Sequence, residues 1–222
     1  MHSKKKNYLC FIPARIGSSR LKNKNLKKIN KNTLVEITIK LAKKTNFFKN
    51  DNIVLSSDSN KILKLGKKLN IKCIKRSKKN SRNSSTTDSA LLETLSNNNF
   101  NIEGIFILQV TSPLRKISTL KKFIKYCQKN SLDYCLTVSA LYENLSKYSK
   151  KNFNPIAKLR KRSQDKKPFL YENGLIYYVS KKFFDKNKKI CPKKNWNYFF
   201  TDKYESIDIN NKSDFIICKK IY

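Results

Sequence analysis

The chain has 222 residues, a formal net charge of +35, and 39% hydrophobic and 11% aromatic side chains, a composition that fits one globular domain over residues 1–222 and argues against disorder. Its single histidine is His2, at the terminus. This speaks against a Ser-His-Asp triad or an imidazole-bound metal, and leaves carboxylates, amides, cations and a bound metal ion to carry any chemistry.

Apolar runs and helix-period segments alternate along the chain. Leu9 to Ile12 reads as a buried strand. Thr33 to Lys44 reads as a helix, with Leu34, Ile37 and Leu41 on one face and Thr33 and Glu36 forming a capping box. Ile53 to Leu55 is a strand. After Asp58 comes a helix with Ile62, Leu65 and Leu69 on one side, then a short strand, Ile71 to Ile74. A helix over Thr87 to Leu95 precedes a strand at Ile105 to Leu108. Leu120, Phe123, Ile124 and Cys127 mark the next helix, and Tyr134 to Val138 the next strand. Residues 141–171 are polar and irregular, as in an insertion or an interaction arm. Strand signals return at Leu175 to Val179 and at Ile207 to Ile209. The β-α-β-α order implies an α/β fold, a mostly parallel sheet flanked by helices.

No apolar run approaches the ~20 residues that cross a bilayer. The basic start leads straight into the first strand without the apolar stretch of a signal peptide, so a cytoplasmic protein with no membrane partner is expected. The six cysteines show no metal or redox spacing and read as buried free thiols. The basic residues are spread evenly without an aromatic-interleaved patch, which fits AT-rich codon usage better than a nucleic-acid partner. The same field would draw in an anionic substrate.

Ligands of open parallel sheets bind beyond the carboxyl ends of the strands, here the loops after Ile12, Ile74, Leu108 and Ile209. The first loop holds one of only four glycines, Gly17, amid Arg15, Arg20 and Lys24. A phosphate-binding loop and an ordinary basic surface loop both fit it; the place after the first strand favours phosphate. The loop Gln109-Val110-Thr111-Ser112-Pro113 offers an amide and two hydroxyls, or a capped polar turn. Glu172-Asn173-Gly174 reads as a tight turn entering a strand. Asp208 and Asn210, two apart on an expected strand, would face one way and could hold Mg²⁺, or form a polar strand end.

Together these segments resemble the acylneuraminate cytidylyltransferase family. The pieces are Ile-Pro-Ala-Arg-x-Gly-Ser-x-Arg at 12–20, Lys24-Asn25, Leu-Gln-x-Thr-Ser-Pro-Leu-Arg at 108–115, Glu-Asn-Gly-x-Ile-Tyr at 172–177 and Ser-Ile-Asp-Ile at 206–209. The resemblance implies a Rossmann-like nucleotide-diphospho-sugar transferase fold, Mg²⁺ as cofactor and a homodimer with residues 141–171 as dimerisation arm. It implies transfer of CMP from CTP to the anomeric hydroxyl of a sialic-acid-like nine-carbon acidic sugar, for surface glycan biosynthesis. Arg15, Ser18 and Lys24 would hold the triphosphate, with Arg15, Lys24 and Asp208 carrying catalysis. Asn25 and Arg76 would face the cytosine, and Thr87 the ribose. Gln109 would contact the sugar acid, Asp208 with Asn210 the metal, and Arg162 the partner's sugar site. The chain departs from the family at Ser19, where Lys is usual, at Lys22-Asn23 for Pro-Gly, at Val110 for Pro, at Ser163 for Arg and at Asn210 for a second aspartate.

Overall fold

A computed structural model describes residues 7–18, 20–82, 84–148, 150–156 and 162–222. His2 and Ser19 lie outside them. The elements in chain order are β1 (Tyr8–Pro13), β2 (Lys28–Ile29), β3 (Asn32–Thr33), α1 (Leu34–Lys44), β4 (Ile53–Ser57), α2 (Asn60–Lys68), β5 (Lys72–Lys75) and α3 (Thr87–Ser96). Then follow β6 (Gly104–Leu108), α4 (Ile117–Lys129), β7 (Tyr134–Leu141), β8 (Phe169–Ser180), α5 (Lys181–Asn187), β9 (Asn197–Phe200) and α6 (Lys212–Ile221).

Strand periodicity builds two apolar layers from one sheet. On β1, Tyr8, Cys10 and Ile12 enter one cluster, while Leu9 and Phe11 enter the other. The first cluster is completed by side chains of α1, α2, α4 and α6, the second by Ala90 and Leu91 of α3 and Phe184 of α5. Burial on both faces explains why β1 reads as a continuous apolar run. At the start of α1, Glu36 N donates to Thr33 Oγ1 at 3.2 Å and Thr33 N donates to Glu36 Oε2 at 2.8 Å, the expected capping box.

The seven-stranded sheet has the order β5-β4-β1-β6-β8-β7-β9. β5, β4, β1 and β6 pair in parallel, β8 runs antiparallel to both β6 and β7, and β9 pairs in parallel with β7. The chain moves outward on one side of β1 and resumes on the other at β6. A crevice therefore opens between the carboxyl ends of β1 and β6, the topological switch point.

Three expectations need correction, and one strand was missed. Residues 207–209 form no strand: both edges of the sheet are taken by β5 and β9. The apolar alternation there comes from a loop laid on the core, where Ile209 is fully buried and its N–H donates to Thr111 O at 2.9 Å. Glu172-Asn173-Gly174 is no turn before a strand but the interior of β8, where a register shift interrupts the β7 pairing and Gly174 takes φ +70°. The edge strand β9, late in the chain, was not anticipated. Cys191 is exposed and Cys73 half-buried, against an expectation of buried thiols; all six cysteines are free. No helix among the described residues is long and apolar enough to cross a membrane.

Candidate active site

The loop leaving β1 is held by its own backbone and by distant side chains. Ala14 N donates to Ser56 O at 2.9 Å, and Ile16 N donates to Asp58 Oδ1 at 2.8 Å. Asn25 Nδ2 donates to Arg15 O at 2.7 Å, which ties the end of the loop to its beginning. Asn23 sits at φ 53°, a left-handed conformation that asparagine tolerates. Lys24 Nζ donates to Ile209 O at 2.5 Å. Burial lowers the Lys24 pKa, opposed chiefly by the Asp208 carboxylate and reinforced by Arg20.

Arg76 follows β5. Its Nε donates to Ser56 Oγ at 2.9 Å and its side chain is buried. Burial lowers its pKa to about 10, against the nearby Asp58 and Glu93 carboxylates, so it remains a cation at neutral pH. Two polar atoms here stand out. Among the described residues, buried Asn25 Oδ1 and Arg76 Nη2 have no hydrogen-bond partner. An unmet buried donor and acceptor cost about 1–3 kcal/mol each, so a ligand with the complementary groups is the natural occupant.

Both atoms belong to residues lining one cleft of about 600 Å³. Arg15, Ser18, Lys24, Asn25, Arg76, Thr87 and Gln109, seven of the site residues expected from sequence, all line it. The loops after β1, β5 and β6 thus meet as the switch-point rule requires. Ser85 and Thr86 also line the cleft. Thr86 caps α3 by accepting from Ser89 N, and the Ser-Ser-Thr-Thr run at 84–87 was the only signal for it. Gln109 is fixed from behind: buried Arg115 donates from Nη2 to Gln109 O at 2.8 Å and to Leu175 O at 2.6 Å.

A second pocket of about 500 Å³ adjoins the first and shares Thr87 and Gln109 with it. Its remaining walls include Ile107, Glu172, Tyr177, Ile190 and Cys191. Sequence reasoning quoted Glu172 and Tyr177 as part of a motif but gave them no site role, because only the β8 irregularity brings them here.

Asp208 and Asn210 stand behind Lys24, outside the residues lining the cleft. Asn210 Nδ2 donates to Asp208 Oδ2 at 2.8 Å, and Asn210 Oδ1 accepts from Arg20 Nη2 at 2.6 Å. The two side chains do meet, but through a loop rather than a strand, and the Asn210 oxygen is turned to Arg20. No group of three or more His, Cys, Asp or Glu side chains among the described residues could hold a metal. Of this pair, Asp208 offers the anionic oxygen, while the nearby Asp214 carboxylate accepts from Asn210 N at 2.8 Å. The Asp208 oxygen suits Mg²⁺, which is often held by one or two carboxylates with substrate phosphates completing the shell. Arg162 is exposed and paired with Asp165 Oδ2 at 2.8 Å, and it is not among the residues lining the cleft.

The cytidylyltransferase family model matches residues 9–209. The chain is similar to the N-acylneuraminate cytidylyltransferase of Streptococcus agalactiae serotype V, 27% identical over 94% of this chain and 51% of that protein. It is also similar to the post-translational flagellin modification protein B of Campylobacter coli, 28% identical over 94% of this chain and 92% of that protein. The chain spans about half the length of the Streptococcus relatives it matches. Among solved structures, CMP:2-keto-3-deoxy-manno-octonic acid synthetase complexed with CTP shares the fold, with a TM-score of 0.72, 13% identity and 97% and 98% of the two chains covered. A 4-diphosphocytidyl-2C-methyl-D-erythritol synthase gives 0.75 at 10% identity, with 99% of each chain covered. The family match runs from β1 to the loop holding Asp208, and so takes in the whole cleft just described: the chain belongs to the cytidylyltransferase family.

Proposed function

We propose that the chain transfers CMP from CTP to the anomeric hydroxyl of a sialic-acid-like nine-carbon 2-keto sugar acid, with release of pyrophosphate. The observation that carries the reading is the pair of unmet atoms in the cleft, Asn25 Oδ1 and Arg76 Nη2. Cytosine offers an amino donor at N4 and acceptors at O2 and N3. Uracil carries a carbonyl oxygen, O4, in place of that amino group and would meet Asn25 Oδ1 with a second lone pair. The assignment of the Asn25 amide follows from its Nδ2, which faces the Arg15 carbonyl and must be the donor.

Arg15, Ser18 and Lys24 then lie on the triphosphate side of the cleft, Thr87 beside the ribose, and Gln109 where cleft and second pocket meet. The acceptor hydroxyl attacks the α-phosphorus in line and pyrophosphate departs. The chain's contribution is positioning, together with the charges of Arg15 and Lys24 aimed at the oxygens that gain negative charge. A bound Mg²⁺ would supply further neutralisation of the phosphates, held by Asp208. Arg20 and Asn210 orient that carboxylate and leave the phosphates to provide the remaining oxygens.

The same reading makes the chain a homodimer through residues 141–171. Tyr142, Tyr148, Phe153 and Ile156 in this arm are exposed, Tyr148 at 92%, which a partner would cover. Arg162 on that arm would serve the partner's acceptor site. Initial rates of pyrophosphate release over a grid of four nucleoside triphosphates and a set of eight- and nine-carbon 2-keto acids test the proposal. Turnover is expected only with CTP and a nine-carbon acid; turnover with UTP or ATP at a similar rate, or a preference for the eight-carbon acids, would overturn it.

A further inference from the structure

The second pocket is chemically unlike the rest of this protein. Lys and Arg number 50 in the chain, yet none lines this pocket, whereas two of the fifteen acidic residues, Asp88 and Glu172, do. Asp88 is committed to structure: its Oδ1 accepts from Ile190 N at 3.0 Å, and Lys189 lies 3.5 Å from Oδ2. It fixes the wall that carries Ile190 and Cys191. Glu172 is different. It is exposed and lines the pocket, and among the described residues its hydrogen bond is the one its Oε1 accepts from Tyr177 O–H at 2.5 Å.

That contact is itself informative. Residues five apart on a regular strand point to opposite faces and stand about 17 Å apart. Here Leu136 pairs with Tyr177 and Val138 pairs with Glu172, so a two-residue step on β7 spans five on β8. The excess chain is held in place by a buried polar network. Thr137 Oγ1 donates to Asn173 Oδ1 at 2.7 Å, Ile176 N donates to Thr137 Oγ1 at 3.0 Å, and Asn173 Nδ2 donates to Ser139 Oγ at 2.9 Å and to Thr201 Oγ1 at 2.7 Å. An irregularity of this kind re-aims side chains beside a site. Its effect is to set Glu172 against Tyr177 at the mouth of a pocket whose floor is Ile107 and Ile190. Burial, and then the Glu172 carboxylate, raise the Tyr177 pKa, so the phenol stays a donor.

We propose that Glu172 is the residue that selects the acceptor substrate, by accepting a hydrogen bond from an N–H or O–H on the tail of the sugar acid. This rests on the cytidylyl-transfer reading above. A carboxylate with an apolar floor beside it matches a donor flanked by an apolar group, the pattern of an acylamido substituent: the N–H meets Glu172, and the acyl methyl covers Ile107 and Ile190. The acid's own carboxylate is repelled from this pocket and turns to the basic cleft.

The test compares the unaltered enzyme with Glu172→Gln, which keeps an oxygen for Tyr177 and removes the charge. Three acceptors are used: an acylamido nine-carbon acid, its counterpart with hydroxyl at that position, and a deoxy counterpart with neither. Loss of a hydrogen bond to a charged group lowers kcat/KM about tenfold or more. That loss is expected for the acylamido acid, with the deoxy acid and the KM for CTP unchanged. A loss confined to the hydroxyl acid also supports the role of Glu172, with O–H as the donor. Equal losses on all three acceptors, no loss on any, or a change in the KM for CTP would overturn the inference. Failure of the unaltered enzyme to use any of the acids would instead refute cytidylyl transfer to sugar acids, and this inference with it.

Discussion

Replacing Asn25 by alanine isolates the atom to which the proposed function assigns nucleotide choice. Asn25 makes one bond inside the protein, Nδ2 to Arg15 O at 2.7 Å, and leaves Oδ1 buried and unpaired. An unsatisfied buried acceptor costs about 1–3 kcal/mol, a factor of roughly 5 to 150 in kcat/KM between a base that satisfies it and one that does not. Uracil O4 adds lone-pair repulsion, so a CTP preference of at least ~10² is expected for the unaltered enzyme. Asn25→Ala also removes the tie to Arg15 and will slow both nucleotides by loosening the loop. The ratio of kcat/KM for CTP to that for UTP cancels this shared loss. Measured by pyrophosphate release at saturating acceptor, that ratio should fall by about 10- to 100-fold. A variant that is slower yet keeps the full ratio would refute the reasoning, since discrimination would then lie elsewhere in the cleft.

Other outcomes follow from the same geometry. Arg15→Ala or Lys24→Ala should lower kcat/KM by ~10² or more, the scale of one lost transition-state contact; Lys121→Ala with Lys122→Ala, both exposed on α4, should leave it within about twofold. Comparable losses in the two sets would mean that only the general field matters. Because burial depresses the Lys24 pKa, its cation is lost as pH rises through a value below the usual lysine range; Lys24→Arg should therefore push the alkaline fall in CTP affinity to higher pH, and an unmoved profile would exclude Lys24 from the phosphate site. Asp208→Asn should abolish turnover, while Asn210→Asp, which sets a second carboxylate beside Asp208, should lower the Mg²⁺ concentration giving half-maximal rate; full activity in Asp208→Asn would remove the metal from this loop. Gly66→Ala should destabilise the fold by about 1–3 kcal/mol in urea titration, since a Cβ there would stand 2.5 Å from Cys73 Sγ and 2.7 Å from Leu55 Cδ2, a crowding that outweighs the ~1 kcal/mol gain in helix propensity. An unchanged midpoint would mean α2 moves freely off the sheet.

Much of the first cleft was readable from sequence because it depends on local signals. β1 and β6 are unbroken apolar runs, the capping box of α1 is a four-residue pattern, and the cleft is built by loops that leave strands in an order the β-α alternation already implies. Arg15, Lys24, Asn25, Arg76 and Gln109 meet for that reason. The second pocket was less legible. Glu172 and Tyr177, five apart on β8, come together only through Thr137 and Asn173, residues 36 apart whose hydrogen bond no local pattern reveals. Ile207, Asp208 and Ile209 alternate like a strand, but which strands occupy the sheet edges is decided by β9, a short segment following a lysine-rich stretch with no alternation to mark it.

The central claim is that one chain joins a cytidylyl group to a sugar acid. Phosphorus NMR of the protein with CTP, Mg²⁺ and a nine-carbon 2-keto acid tests it most directly. The account predicts that the three CTP resonances give way to a single phosphodiester resonance and to inorganic pyrophosphate in equal amounts, with no change when the acid is left out. Appearance of free CMP in place of the phosphodiester, or loss of CTP at the same rate without acid, would contradict it.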